Sequence, residues 1–293
     1  DHRGSNSVCV PIAASSLASQ RARSLPKGPG MRRPGLPMRR RGSSSCTRSA
    51  GMRPRPAAEA YLRLRAVSPA PYAAFIGLDE GAILSLSPEQ FLQVTAGEVT
   101  TRPIKGTRPR LDDRQADEAM RQSLLHSDKE RAENVMIVDL LRNDLGKSCQ
   151  AGSIRVPKLC ALESFANVHH LVSTVVGRLA ADRDALDLLR GCFPGGSITG
   201  APKRAAMQLI HELEDGPRGL YCGAMGWIEP GGACLFNVPI RTVECDGAAL
   251  KAGVGSGITL DAEPWPEWQE WLAKIRFLRQ AEQLILPFDT ARV

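Results

Sequence analysis

The chain has 293 residues, 43% of them hydrophobic, and a formal net charge of +7, which is enough for one large or two ordinary domains with a sizeable core. No apolar run approaches the roughly 18 residues that a membrane span needs, and the Ser-rich stretch 8–17 is too short for a secretory signal, so no membrane partner is expected. The eight cysteines are scattered with no Cys-x-x-Cys pair, which excludes a zinc or disulfide framework and reads as buried thiols of a cytoplasmic protein.

The positive charge is local. Residues 1–57 hold twelve Lys or Arg against one acidic residue, whereas residues 58–293 hold 26 basic and 30 acidic ones. The first segment is rich in Arg, Pro, Gly and Ser and lacks hydrophobic periodicity, so it is expected to be a disordered basic leader. It begins with Asp1, as a processed or truncated upstream region would. Without an aromatic residue for stacking, it is not expected to bind nucleic acid. From residue 58 onward the pattern turns globular.

Strand-like residues Phe91–Thr95, the turn signal Ala96-Gly97-Glu98 and a return through Thr100–Ile104 predict a hairpin. Such a hairpin carries Glu89, just before it, towards Lys105, just after it. Lys105 stands in a turn-like frame, Pro103-Ile104-Lys105-Gly106-Thr107-Arg108. A lysine held on a rigid turn is a candidate nucleophile or base, and a carboxyl in the same cleft a candidate acid. Ser127-Asp128-Lys129-Glu130 spells a helix cap, and Glu130 and Glu133 fall on one face of the helix that follows.

His170 is a candidate hydrogen-bonding residue in the next strand-like run. Gly196-Ser197-Ile198-Thr199-Gly200-Ala201-Pro202-Lys203 lacks the ending of a phosphate loop, and so does Gly253-Val254-Gly255-Ser256-Gly257. Both read as backbone that approaches a carboxylate closely, the first ahead of a helix at 203–213. Tyr221 is a further hydrogen-bond donor, and Arg241, in the strand-like run 237–242, is a bidentate carboxylate clamp. A last helix starts at Pro266, with Trp268, Leu272, Ile275 and Leu278 as its apolar stripe and Glu267, Glu270 and Lys274 beside it. The two Glu-x-x-Glu pairs are hard oxygen donors suited to Mg2+, or else solvated faces.

In order and spelling these segments resemble the chorismate-utilising enzymes over about residues 61–275. The resemblance is carried by Ser-Pro-Glu at 87–89, Pro-Ile-Lys-Gly-Thr at 103–107, Lys-Glu-Arg-Ala-Glu-Asn at 129–134 and Met-Ile-Val-Asp-Leu-Leu-Arg-Asn-Asp-Leu-Gly at 136–146. It continues through His-Leu-Val-Ser at 170–173, Gly-Ser-Ile-Thr-Gly-Ala-Pro-Lys at 196–203, Tyr-Cys-Gly-Ala at 221–224, Ile-Arg-Thr at 240–242 and Gly-Ser-Gly-Ile at 255–258. It implies an α/β (α+β) fold, two large mostly antiparallel sheets in a sandwich flanked by helices, incomplete at its N-terminus, with 58–293 as the catalytic domain.

Lys105 is the spelling of the aminodeoxychorismate synthase branch, where anthranilate synthases typically carry alanine, while salicylate and isochorismate synthases also keep a lysine; the Gly-Ser-Ile-Thr-Gly-Ala-Pro-Lys segment agrees with the first of these. The resemblance therefore implies amination of chorismate to 4-amino-4-deoxychorismate, the precursor of 4-aminobenzoate and folate. Ammonia would come from a separate glutamine amidotransferase subunit. Lys105, Glu89 and His170 are the implied catalytic residues. Gly106, Thr107, Ser197, Thr199, Gly200, Tyr221, Arg241, Gly255, Gly257 and Lys274 would meet substrate, and Glu130, Glu133, Glu267 and Glu270 would hold Mg2+. Anthranilate synthase and a noncatalytic chorismate-binding fragment are the alternatives.

Overall fold

The computed structural model describes residues 8–12, 46–49, 54–246, 249–258 and 262–278, and among them lie two antiparallel sheets with helices packed on them. The five-stranded sheet has the order β2 (Cys46–Ser49), β13 (Ala249–Ala252), β12 (Thr242–Asp246), β4 (Gly81–Ser87), β3 (Tyr72–Leu78). Strand β4 is buried along its whole length, and its alternation explains why. Ala82, Leu84 and Leu86 pack against Ala57, Ala60 and Leu64 of helix α1 (Pro54–Val67). Ile83, pointing the other way, packs against Leu220 and against Met225 of strand β10 (Ala224–Ile228) in the second sheet.

The second sheet runs β1 (Val8–Ile12), β10, β11 (Cys234–Asn237), β5 (Gln90–Thr95), β6 (Glu98–Arg102), β9 (Val168–Arg178), β7 (Ile104–Pro109), with β8 (Arg155–Ser164) also paired to β9. Its covered face meets Val138 and Leu145 of α3 (Asp128–Leu145) and Leu188 and Leu189 of α4 (Ala185–Cys192). The expected hairpin is β5–β6. Its two-residue turn has φ of 50° at Ala96 and 77° at Gly97, the left-handed pair that a tight hairpin requires.

Four expectations need correction. Two segments of the supposed leader, β1 and β2, are edge strands of the two sheets, and α1 starts at Pro54, ahead of the expected boundary at 58. Composition misses such short strands because an edge strand is held by its neighbour's backbone and needs little hydrophobic pattern of its own. Lys105 lies on strand β7 and not on a turn. The register slips between Lys105 and Thr107, and Gly106, at φ 82°, is the extra residue of a bulge, the device that re-aims neighbouring side chains. The last helix, α6, spans Pro264–Lys274, two residues earlier than expected, and it buries Glu267 while Trp268 stays 44% exposed. Arg241 lies outside the strands, between β11 and β12, with φ 49°.

Helix α2 (Arg114–Leu125) is tied to the second sheet by polar bonds. Arg110 grips Asp117 at 3.0 Å, Asp117 meets His169 Nε2 at 3.0 Å, and His169 Nδ1 meets the Ser164 hydroxyl at 2.8 Å. The bonds from Arg110 and the Leu111 N–H hold the Asp117 carboxyl well below the usual carboxylate range. A folded-state pKa below the unfolded one contributes stability that is present above about pH 4 and fades as pH falls towards the folded value. Asp117→Asn is therefore expected to melt at a lower temperature than the wild type at pH 7, with the gap narrowing below pH 4 in a series of thermal melts.

Among the described residues, Cys149, Cys160, Cys192, Cys222, Cys234 and Cys245 are buried free thiols. Burial pushes the Cys192 thiol up to about 12. No helix of the described residues is long and apolar enough to cross a membrane.

Candidate active site

The chain passes between the two sheets at two adjacent places. It leaves β4 through Pro88-Glu89 to enter β5, and leaves β11 through 238–241 to enter β12. The Ser87 hydroxyl donates to the Val238 carbonyl at 2.6 Å, and the Val238 N–H donates to the Glu89 carbonyl at 3.1 Å. These bonds lock the crossovers side by side. One carries Glu89 and the other Arg241.

Glu89 is buried, 6% exposed, and loss of hydration raises its pKa above the usual range. A bond from the Ser197 side chain, the charge of Lys105, the Ile104 N–H and the charge of Lys274 act in the opposite direction. Lys105 Nζ donates to the Ser197 carbonyl at 3.3 Å and lies 4.0 Å from Glu133 Oε2. Ser197 thus accepts from the candidate nucleophile through its carbonyl, and its side chain is among the groups that lower the pKa of the candidate acid. Gly106 disfavours a larger residue, because its φ of 82° strains any L side chain and a Cβ there would fall 2.8 Å from Leu124 Cδ1, which would have to move.

On the strand beside Lys105, Thr107 Oγ1 and His170 Nδ1 are 2.9 Å apart, and the Phe165 ring lies 5.6 Å from the imidazole. Burial and the nearby Arg241 charge bring His170 down to about 4, while a bond to the Gly106 backbone opposes them. His170 is therefore a neutral hydrogen-bonding group at physiological pH. Burial also lowers the Arg241 pKa. Among the described residues no acidic side chain pairs with Arg241, so this cation is placed to receive an anion.

The remaining expected residues divide into two groups. Thr199 bonds inward, its hydroxyl donating to the Gly195 carbonyl at 2.9 Å, and the Gly200 N–H donates to the Gly196 carbonyl at 3.1 Å. Both hold the shape of the loop that presents Ser197. Tyr221 lies flat on the other glycine segment, where a Cβ at Gly253 would fall 2.2 Å from its ring; burial raises its phenol pKa. The Gly255 carbonyl accepts from Lys274 Nζ at 2.9 Å, and Gly257 borders the space between Lys105 Nζ and Glu133 Oε2.

The four glutamates come from two helices, and each has a basic neighbour. Arg108 is 3.6 Å from Glu130, Lys105 4.0 Å from Glu133, Lys129 3.8 Å from Glu267 and Lys274 2.6 Å from Glu270. The Ser256 hydroxyl also donates to Glu267. Arg108 and Lys129 had no role assigned from the sequence, although each lies within or beside a motif segment. Burial raises the Glu133 pKa, and so do the charges of Glu130 and Glu270, against Lys105 and Lys129. The carboxylates of the two helices therefore sense one another, and their hard oxygen donors fit a divalent cation. Among the described residues, however, no three such side chains converge tightly enough to form a ready cage.

A family model for chorismate binding enzymes matches residues 44–280, and the chain belongs to that family. The match takes in the end of the stretch expected to be a leader. Aminodeoxychorismate synthase component 1 of Klebsiella aerogenes is 50% identical over 225 residues, covering 76% of this chain and 50% of that protein. Its counterpart in Salmonella typhimurium is 49% identical over 217 residues, covering 74% and 48%. The crystal structure of anthranilate synthase component I from Streptococcus pneumoniae aligns with a TM-score of 0.71 at 33% identity, over 84% of this chain and 52% of that one. The chain spans about half the length of the curated relatives it matches.

Proposed function

We propose that this chain aminates chorismate at ring carbon 4, giving 4-amino-4-deoxychorismate, as component 1 of an aminodeoxychorismate synthase. The observation that carries the reading is the placement of Lys105 Nζ, 3.3 Å from the Ser197 carbonyl and 4.0 Å from Glu133 Oε2, where its charge acts on the buried Glu89 carboxyl. The identity of about half to the two aminodeoxychorismate synthases supports the same branch.

In this reading the Lys105 amine forms a bond to ring carbon 2. Both conjugated ring double bonds shift and the carbon 4 hydroxyl leaves as water, with its proton supplied by Glu89. Ammonia then adds at carbon 4, both double bonds shift back, the carbon 2–nitrogen bond breaks, and the excess proton returns to Glu89. The net change is chorismate plus ammonia to aminodeoxychorismate plus water. Arg241 and Tyr221 hold a substrate carboxylate, and His170 donates or accepts as a neutral ring. Glu130, Glu133, Glu267 and Glu270 would hold Mg2+, which would supply a counter-charge to substrate carboxylate. The designation component 1 in the relatives supports a second, ammonia-supplying subunit, for which a glutamine amidotransferase is the expected chemistry.

The test is product analysis by mass spectrometry after mixing the protein with chorismate, a magnesium salt and an ammonium salt. Aminodeoxychorismate is the expected product. Anthranilate or salicylate would move the chain to another branch, and chorismate binding without turnover would leave a binding fragment.

A further inference from the structure

Lys105 Nζ touches two groups from different parts of the chain: the Ser197 carbonyl, in the loop 193–202 between α4 and α5 (Lys203–Leu213), and Glu133 on α3. The distance between loop and helix therefore sets where the amine points. That distance is fixed by a buried ion pair. Lys203, the first residue of α5, sends its Nζ to Asp144 on the last turn of α3 and to the Cys192 carbonyl at 3.0 Å. Cys192 ends α4, so Lys203 draws the two ends of the loop together and fastens both to α3. Asp144 is buried, 2% exposed, and its other oxygen accepts from Lys147 at 2.8 Å.

We infer that Lys203 and Asp144 are positioning residues: their ion pair holds the Ser197 loop against α3 and thereby aims Lys105. This rests on the role given to Lys105 above. Surface charges exchange partners with water freely, but here removal of Lys203 leaves the buried Asp144 carboxylate to Lys147 alone and frees the loop from its tie to α3. The fold supplies its own control. Lys147 binds the same carboxylate and reaches the Gly191 carbonyl at 3.1 Å, yet its side chain is 52% exposed, and neither of these bonds reaches the 203 end of the loop.

The experiment compares Lys203→Met, Lys203→Arg and Lys147→Met in the full chain. Three quantities are measured: thermal melting, kcat and KM for chorismate with ammonium and magnesium salts, and the rate at which Lys105 is acetylated by acetic anhydride relative to the other lysines. K203M is expected to lower kcat by about 10- to 100-fold, the scale of an ångström-sized misplacement, with KM changed by less than about 3-fold. Its Lys105 acetylation rate should depart from that of the wild type. K147M should resemble the wild type in both readouts, and K203R should regain part of the loss.

Equal kcat and equal Lys105 acetylation in K203M and K147M would overturn the inference. So would a kcat deficit in K203M that is accounted for by its unfolded fraction. If K203M is recovered unfolded, Asp144→Asn replaces it, and wild-type acetylation of Lys105 in folded Asp144→Asn overturns the inference equally. A wild type that makes no aminated product would sink the proposed reaction alone, because the acetylation rates still decide the positioning role.

Discussion

Lys105→Ala is expected to reduce aminodeoxychorismate formation by at least about 10³-fold, with a far smaller change in KM for chorismate. In the proposed reaction the amine would act only in the bond-making step, whereas substrate carboxylate would be held by Arg241, which faces no acidic partner among the described residues. Loss of an interaction used in the transition state lowers kcat, and loss of one used equally in the ground state raises KM. Lys105→Arg separates charge from nucleophilicity: a guanidinium keeps the positive charge beside Glu133 but has no free amine lone pair at working pH. Steady-state kinetics on both variants, with product identified by mass spectrometry, should find them about equally inactive. Substantial activity in Lys105→Arg would reassign the residue to electrostatic support.

Glu89→Gln is expected to lower kcat by about 10²- to 10⁴-fold, the usual worth of a positioned proton donor, while making the protein more stable at neutral pH. The second effect follows from the direction of the pKa shift. Burial raises the Glu89 pKa above its unfolded value, so the folded state binds its proton more tightly. That contribution to stability is full below the unfolded pKa, about 4.3, and is lost as pH rises through the folded pKa. At neutral pH the wild type must either keep a proton against the solvent or bury a charge, and glutamine does neither. Thermal melts of the two proteins should therefore diverge as pH is raised from 4 to 8, with the variant the higher. Curves that run parallel would show that Lys105, Lys274, Ser197 and Ile104 together fully offset the burial.

The segments that carry the candidate site were legible in the sequence because they are short and of unusual spelling. Glu89 and Lys105 were placed together by a hairpin whose turn chemistry is local, and the Ser127 cap and the helix at 203–213 also depend on neighbours in sequence. What escaped depends on partners far along the chain. The fall of Glu267 into the interior, opposite to the apolar stripe, is set by Ser256 and Lys129. The bond from Lys203 to Asp144 spans 59 positions, and no periodicity within either helix announces it. Arg241 looked like a strand residue because a chain changing sheets keeps strand composition on both sides of the change.

The bulge at Gly106 has a further consequence for which changes the family architecture tolerates. Side chains of a strand alternate between faces, and one extra residue shifts that alternation by half a period for everything beyond it. Lys105 and Thr107, two apart, consequently oppose neighbouring residues Leu171 and His170 on β9. The lysine and the threonine that meets the histidine belong to two different phases of one strand. A substitution at Gly106 alters local strain, whereas deletion of that residue would leave Thr107 opposite His170 in an unbulged ladder and remove the local bend between the lysine and the threonine. The one extra residue that β7 spends between Lys105 and Thr107 is thus part of how their two side chains are aimed.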